Sequence, residues 1–218
     1  IKMGSQRLIL VDGSGYIFRA FYALPPMSRE DGTPVNAVFG FTSMLLKLSE
    51  DMEGENILVV FDAARTTFRN AIYKEYKANR SEPPEELVPQ FDLIKKATTA
   101  IGLKSLEVEN YEADDIIATY VKIAKKENIE TLVISSDKDL MQLIQDGVSL
   151  YDPMKNIKIG PEAVLDKFGV SPDKVIDVQA LAGDSSDNVP GVPCIGIKTA
   201  SQLINEYGSL EKLLDNAS

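Results

Sequence analysis

Apolar residues in this chain fall into two recurring patterns. Short unbroken runs alternate with longer stretches that repeat every three to four positions, as far as Gly160. The runs RLILVD (7–12), NILVVFD (56–62) and TLVISSD (131–137) are nearly continuous, as in strands buried on both faces of a parallel sheet. KSLEV (104–108) is a weaker run of the same kind, and SLYD (149–152) reads as a short edge strand. Between them, NAVFGFTSMLLKLSEDM (36–52), EADDIIATYVKIAKKEN (112–128) and DLMQLIQDG (139–147) carry helical periodicity. Such alternation predicts an α/β fold, a mostly parallel central sheet with right-handed crossovers and flanking helices. Beyond Gly160 only helical patterns follow, in GPEAVLDKFG, SPDKVIDVQALAG and KTASQLINEYG. The chain thus divides into an α/β core over residues 3–160 and a helical annex over 161–218. The prolines of RSEPPEELVP (80–89) predict a projecting loop that interrupts helix.

Composition narrows the chemistry. With 218 residues and 44% apolar content, a sizeable core can form. No apolar run approaches the roughly 20 residues of a membrane span, and no secretory pattern leads the sequence, so no membrane partner is expected. Ile1 and Lys2 precede Met3 and read as additions from a vector. There is no histidine and a single cysteine, Cys194, which excludes a Cys/His zinc site, an imidazole base and an internal disulfide. Acid, base or metal chemistry therefore falls to carboxylates, lysines, tyrosines and bound water. A net charge of −10 argues against a nucleic-acid binder unless the acids are concentrated in one place.

They are concentrated. Each of the three long strand runs ends in an aspartate, namely Asp12, Asp62 and Asp137. In a parallel sheet the carboxyl ends share one edge, where open α/β folds hold ligands. Glu112, Asp114 and Asp115 crowd a helix start in YEADDI, Asp139 follows Asp137, and Asp184 and Asp187 stand in LAGDSSDNVPG. Singly, each has an ordinary explanation as an N-cap, a turn former or a partner of the helix dipole. Gathered, six to eight like charges repel and raise one another's pKa unless cations neutralise them. Oxygen-only donors in an open cluster suit Mg²⁺ or Mn²⁺. Two such ions roughly 3.5–4 Å apart form a phosphodiesterase site that needs no histidine.

Immediately after Asp62 the charge reverses. RTTFRNAIYKEYKANR (65–80) holds five cations against one acid, and Arg69, Tyr73, Lys77 and Arg80 fall on one helical face with Tyr76 at its border. Interleaved cations and aromatics suit a single strand of nucleic acid. An amphipathic helix whose tyrosines pack on the core is the other reading. Further on, VPCIGIKTA (192–200) has the form of a hairpin between helices, whose backbone amides and Lys198 can hold a phosphate. A plain packing corner between helices would look the same.

Five segments in this order, LVDGSGYIFRAFYALP, VVFDAARTTFRNAIYKEYKANR, YEADDIIAT, ISSDKDLMQL and LAGDSSDNVPGVPCIGIKTA, resemble the 5′-nuclease (5′-3′ exonuclease) domains of bacterial DNA polymerases I, members of the flap-endonuclease family. The resemblance spans residues 8–200. It implies a PIN-like nuclease core with a helical arch over about 65–100 and a C-terminal helix-hairpin-helix. It implies hydrolysis near the 5′ end of flapped, nicked or branched DNA, in replication (primer removal) and repair. The implied cofactors are two Mg²⁺ or Mn²⁺ ions, with K⁺ at the hairpin. The positions matching the family's metal-holding acids are Asp12, Asp62, Glu112, Asp114, Asp115, Asp137, Asp139, Asp184 and Asp187. Asp12, Asp62 and Asp114 would lie nearer one ion, and Asp137, Asp139 and Asp187 nearer the other. Lys77 and Arg80 match the catalytic cations, with Tyr76 as a base-stacking neighbour. DNA contacts are implied for Arg19, Arg69, Tyr73, Gly191, Val192, Ile195, Gly196, Lys198 and Thr199. The implied partners are a 5′ flap or a nicked or gapped duplex, and an RNA primer, bound by a cytoplasmic, nucleoid-associated monomer fused to a polymerase in its full-length form.

Three departures accompany the resemblance. Cys194 stands where the family hairpin carries glycine, and Ile197 where it carries proline. A positive φ at the first position would cost cysteine on the order of 1 kcal/mol. Third, the chain ends soon after GSLEKLLDNAS, where family domains continue with further helices, so it reads as a truncated domain. Two other functions fit the acidic edge, a PIN-type ribonuclease and a catalytically weak binder of DNA junctions. A haloacid-dehalogenase-type phosphatase is disfavoured, because VDGSG lacks a second aspartate two residues after Asp12.

Overall fold

The chain runs from β1 (Leu8–Asp12) directly into α1 (Gly13–Ala23), then through α2 (Asn36–Asp51), β2 (Asn56–Val60), α3 (Phe68–Ile72), α4 (Gln90–Ala100) and β3 (Lys104–Leu106). It continues through α5 (Ala113–Lys126), β4 (Thr131–Ile134), a 3-10 turn at Asp139–Leu143, β5 (Val148–Asp152) and β6 (Ile157–Ile159). The annex comprises α6 (Pro161–Phe168), a 3-10 turn at Pro172–Lys174, α7 (Val175–Ala182), α8 (Ile197–Tyr207) and α9 (Leu210–Asp215). This computed structural model describes residues 7–217. The vector reading of Ile1 and Lys2 lies outside the described residues, as do residues 3–6 of the predicted core and Ser218 of the annex.

The six strands form one sheet in the order β3-β2-β1-β4-β5-β6, parallel except for β6. Strand side chains alternate between faces. Ile9, Val11, Val59, Leu132 and Ile134 pack under α1, α2 and α4, around Phe41, Leu45 and Ile94. Leu10, Val60 and Val133 face the opposite way, onto Ile117 and Val121 of α5 and Val164, Phe168, Val178 and Ile204 of the annex. Covering both faces is what removes polar alternation from the strand sequences. The annex joins the same core as α5. No helix among the described residues is long and apolar enough to cross a membrane.

The α/β class and the parallel sheet are as the pattern predicts, and the differences are local. SLYD is not the edge, because β6, only three residues long, pairs antiparallel outside β5. The stretch 139–147 makes a 3-10 turn rather than a helix. Asp139 N–H donates to Asp137 Oδ1 at 2.9 Å and β5 starts at Val148, which leaves no room for a full helix. The one-faced helix over 69–80 does not form. α3 stops at Ile72, Tyr73 is extended, and successive turns follow. Nor does 80–89 project freely. Leu87 is fully buried, and the buried Gln90 beyond it accepts from Ala37 N–H (2.8 Å) and Val38 N–H (3.1 Å), tying the loop to the start of α2.

Candidate active site

Strand order reverses between β1 and β4, and at such a switch point the loops beyond the carboxyl ends part to leave a crevice. Asp12 ends β1 there. It caps α1, accepting from Gly15 N–H at 3.4 Å, and accepts from Ser135 Oγ–H at 2.8 Å. Asp62 lies two residues past β2, where it accepts from Ala113 N–H at the start of α5 (2.7 Å) and from Ser14 Oγ–H (2.5 Å). Asp137, beyond β4, donates its N–H to Ser135 Oγ at 3.0 Å. Asp114 joins them from the first turn of α5.

These four carboxylates repel one another. Burial pushes Asp12 up to about 6 against the pull of its hydrogen bonds from Ser135 and Gly15, and the charges of Asp62 and Asp137 add to the rise. Asp114 is raised well above the ordinary carboxylate range, first by burial and then by Asp12, Asp137 and Asp62, with Lys77 acting in the opposite sense. Asp139 is raised by burial and by Asp137, although Gln179 Nε2–H donates to it at 2.6 Å. Excess buried negative charge of this kind is what an oxygen-ligated divalent cation relieves, so the residues fit such an ion. Among the described residues no three acids converge on one ready-made coordination point. Their oxygens are turned instead toward Ser14, Ser135, the Ala113 amide and the cations described next.

The remaining acids carry protein counter-ions. Glu112, almost buried, accepts from Lys77 Nζ–H at 2.9 Å and Tyr76 O–H at 3.1 Å. Asp187 accepts from Arg80 Nη2–H at 2.5 Å and Tyr76 O–H at 3.1 Å, with Lys77 Nζ 3.7 Å away. Burial and the two acids push the Tyr76 phenol far above its usual range, so it stays a donor. Lys77 Nζ lies 5.1 Å from the Tyr76 ring centroid, on the face expected to stack a base. Asp184 is almost buried, yet Lys138 Nζ at 2.7 Å and Ser186 N–H at 2.8 Å outweigh burial and hold it below the usual range.

Asp115 and Arg69, expected as a metal ligand and a DNA contact, pair with each other in this structure. Arg69 donates from Nη1 and Nη2 to both Asp115 oxygens at 2.7 and 2.8 Å, and this pairing lowers the Asp115 pKa. Asp115 also accepts from Glu112 N–H at 3.1 Å. Arg19 is likewise engaged, donating to the Pro153 carbonyl at 2.8 Å, while Tyr73 is exposed. Tyr76, Lys77 and Arg80 meet over Glu112 and Asp187 by way of turns, not along a helical face. The sequence reading missed Ser14, Ser135, Lys138 and Gln179. The two serines lie within two residues of strand-end aspartates and Lys138 stands between Asp137 and Asp139, so these had a local signal. Gln179, 40 residues from its partner, had none.

At the annex end, the 184–189 loop closes on itself through Asp184 N–H to Val189 O (2.9 Å) and Val189 N–H to Asp184 O (2.8 Å). Gly183 and Gly191 stand back to back at its base. A Cβ on Gly191 would strike the Ala182 carbonyl group, and one on Gly183 the Gly191 amide. The hairpin follows as a turn over 192–195, with Ile195 N–H donating to Val192 O at 3.0 Å. Pro193 and a left-handed third residue, Cys194 at φ 68°, are the signature of a type II turn, where glycine is favoured. Gly196 then caps α8 without a side chain, leaving the first-turn amides open beside exposed Lys198 and Thr199, with Ile197 as the first helical residue.

Family models match the whole described chain. Residues 7–169 match the 5′-3′ exonuclease N-terminal resolvase-like domain, and 170–218 the 5′-3′ exonuclease C-terminal SAM fold. DNA polymerase I of Rhizobium leguminosarum is 53% identical over 226 residues, covering 100% of this chain and 22% of the relative. The thermostable DNA polymerase I of Thermus thermophilus is 44% identical over 210 residues, covering 96% and 25%. The chain thus spans about a quarter of the length of such relatives. Among solved structures, bacteriophage T5 5′-exonuclease with bound divalent metal ions (zinc) has a TM-score of 0.80 at 24% identity, covering 97% of this chain and 79% of that one. The catalytic core of Rad2 in complex with DNA substrate has a TM-score of 0.61 at 20% identity, covering 97% and 65%. At those identities the two structures establish the fold.

Proposed function

The chain belongs to the 5′-3′ exonuclease family, and from that premise we propose that it is a structure-selective 5′-nuclease. It hydrolyses phosphodiester bonds near the 5′ end of flapped, nicked or branched DNA. The observation that carries this reading is the knot of Asp12, Asp62, Asp114 and Asp137 at the switch point, where burial first and then the neighbouring acids raise Asp12 and Asp114. These four, with Asp139, Asp184, Glu112 and Asp187 around them, would hold two Mg²⁺ or Mn²⁺ ions. Bound there, such ions supply a hydroxide nucleophile and charge stabilisation for the attacking and leaving oxygens.

The chain's own groups bind and orient. Ser135 and Ser14 fix the carboxylates of Asp12 and Asp62. Lys77 and Arg80, which pair with Glu112 and Asp187, would turn from these acids to donate to the scissile phosphate. Tyr76, kept protonated, donates rather than acting as a base. The open amides at the start of α8, with Lys198 and Thr199, hold a phosphate of the neighbouring duplex. Hydrolysis of a 5′-end-labelled flap substrate in Mg²⁺, Ca²⁺ or EDTA tests the proposal. Short labelled products are expected in Mg²⁺ alone, and their absence there refutes it.

A further inference from the structure

Positive φ angles among the described non-glycine residues fall on four asparagines, on Cys194 and on Lys77. Asparagine tolerates that region, while lysine adopts it only where its surroundings impose it. At Lys77 (φ 55°) the imposing contacts come from the 184–189 loop. Lys77 N–H donates to Asp187 O at 2.9 Å. On either side of that bond, an asparagine of each loop reaches a backbone carbonyl of the other. Asn79 Nδ2–H donates to Ser185 O at 2.9 Å, and Asn188 Nδ2–H donates to Glu75 O at 2.7 Å. Asn188 itself is left-handed, at φ 57°. Both amides end on carbonyls, so the pair changes the placement of the basic loop and leaves the charge balance of the acids alone.

We propose that Asn79 and Asn188 are positioning residues, a reciprocal clasp that holds the 73–80 loop on the 184–189 loop and so keeps Tyr76, Lys77 and Arg80 over Glu112 and Asp187. The inference deepens the nuclease reading and rests on it for its catalytic half. The turns over 74–79 lie beyond the end of α3 at Ile72, which reaches them through Asn70 Nδ2–H donating to the Tyr76 carbonyl at 3.1 Å. Asn70 and Arg65 tie the loop to its own flank, through the Tyr76 and Arg80 carbonyls at 3.1 Å each. Its ties to the acidic edge are the side-chain contacts of Tyr76, Lys77 and Arg80, which substrate must rearrange, and the three backbone-directed bonds to the 184–189 loop, which it need not. The clasp therefore keeps the cations close while their partners change, and a small displacement of such groups lowers rate steeply.

Three variants separate the roles. Asn79→Ala and Asn188→Ala each lose the amide without adding charge, and Asn188→Gly loses the amide while freeing the backbone. The first measurement is hydrogen exchange across residues 73–80 in EDTA without DNA. About tenfold faster exchange is expected in all three variants, with the thermal midpoint close to wild type. The second is single-turnover cleavage of the 5′-flap substrate in Mg²⁺, with duplex Kd measured alongside in Ca²⁺. The cleavage rate should fall about 10- to 100-fold while Kd stays within about twofold. Unchanged exchange overturns the clasp, as does wild-type behaviour of Asn188→Gly. Faster exchange with unchanged cleavage overturns the positioning role. Wild-type protein that fails to cleave defeats the nuclease reading instead, and the exchange data still decide the clasp.

Discussion

Replacing Asp12 with asparagine should stabilise the metal-free protein. Asp12 is 8% exposed, and its folded-state pKa stands at about 6 against an ordinary 3.8, chiefly through burial. The folded state therefore binds this proton more tightly than the unfolded chain does. Its contribution is favourable below about pH 4 and is lost as pH rises through about 6. A difference of about two pK units corresponds to about 3 kcal/mol of destabilisation at pH 7.5. The asparagine side chain would carry no charge and would keep an acceptor for Gly15 N–H, but it weakens the contact with Ser135, at about 1 kcal/mol. A net gain of about 2 kcal/mol remains, or on the order of 5 °C in Tm for a chain of this length. Thermal unfolding of wild type and Asp12→Asn in EDTA at pH 7.5 and pH 4 reads it directly. The gain should be present at pH 7.5 and absent at pH 4. Added Mg²⁺ should reverse the ranking, because it stabilises the wild type by binding the native state. A variant no more stable than wild type in EDTA at pH 7.5, or a gain that persists at pH 4, refutes the reasoning.

Other substitutions test neighbouring parts of the site. Lys77→Ala should lower the single-turnover cleavage rate by about 100-fold or more and change duplex Kd by no more than about twofold. Weakened binding with an intact rate would remove Lys77 from the chemistry. Cys194→Gly should raise Tm by about 2–4 °C, the equivalent of about 1 kcal/mol of relieved left-handed strain, and an unchanged midpoint would show that the turn bears none. Asp114→Asn should abolish metal-dependent stabilisation. Asp115→Asn, which breaks the Arg69 fork, should lower stability by about 1–2 kcal/mol and leave the Mg²⁺ midpoint within about twofold. Equal metal titrations for the two variants would mean that the adjacent acids are not distinguished as the hydrogen bonds indicate.

Much of the fold was legible because its signals are local. Continuous apolar runs mark strands covered on both faces, and parallel strands place Asp12, Asp62 and Asp137 at one edge whatever their order. What escaped depends on partners far along the chain. A helical wheel puts Arg69, Tyr73, Lys77 and Arg80 on one face, but Asp187 and Asn188, more than 100 residues later, hold the segment in turns. Residues 139–147 have helical spacing, yet Asp137 captures the Asp139 amide and β5 follows too soon. β6 has three residues, too few for any period to show. The acids were found as a class. Which of them take a serine, an arginine or a lysine is a tertiary fact, invisible in spacing.

The back-to-back glycines at 183 and 191 act on a different scale. They close a neck so tight that the loop bearing Asp184 and Asp187 cannot lengthen or tilt without dragging the 192–195 turn along. On the proposed reading, one end of this neck meets the bond that is cut and the other meets the duplex. Stacked nucleotides repeat about every 3.4 Å along a strand. The neck is then a ruler graduated in nucleotides, and a residue inserted between 184 and 190 would be read as a product of altered length.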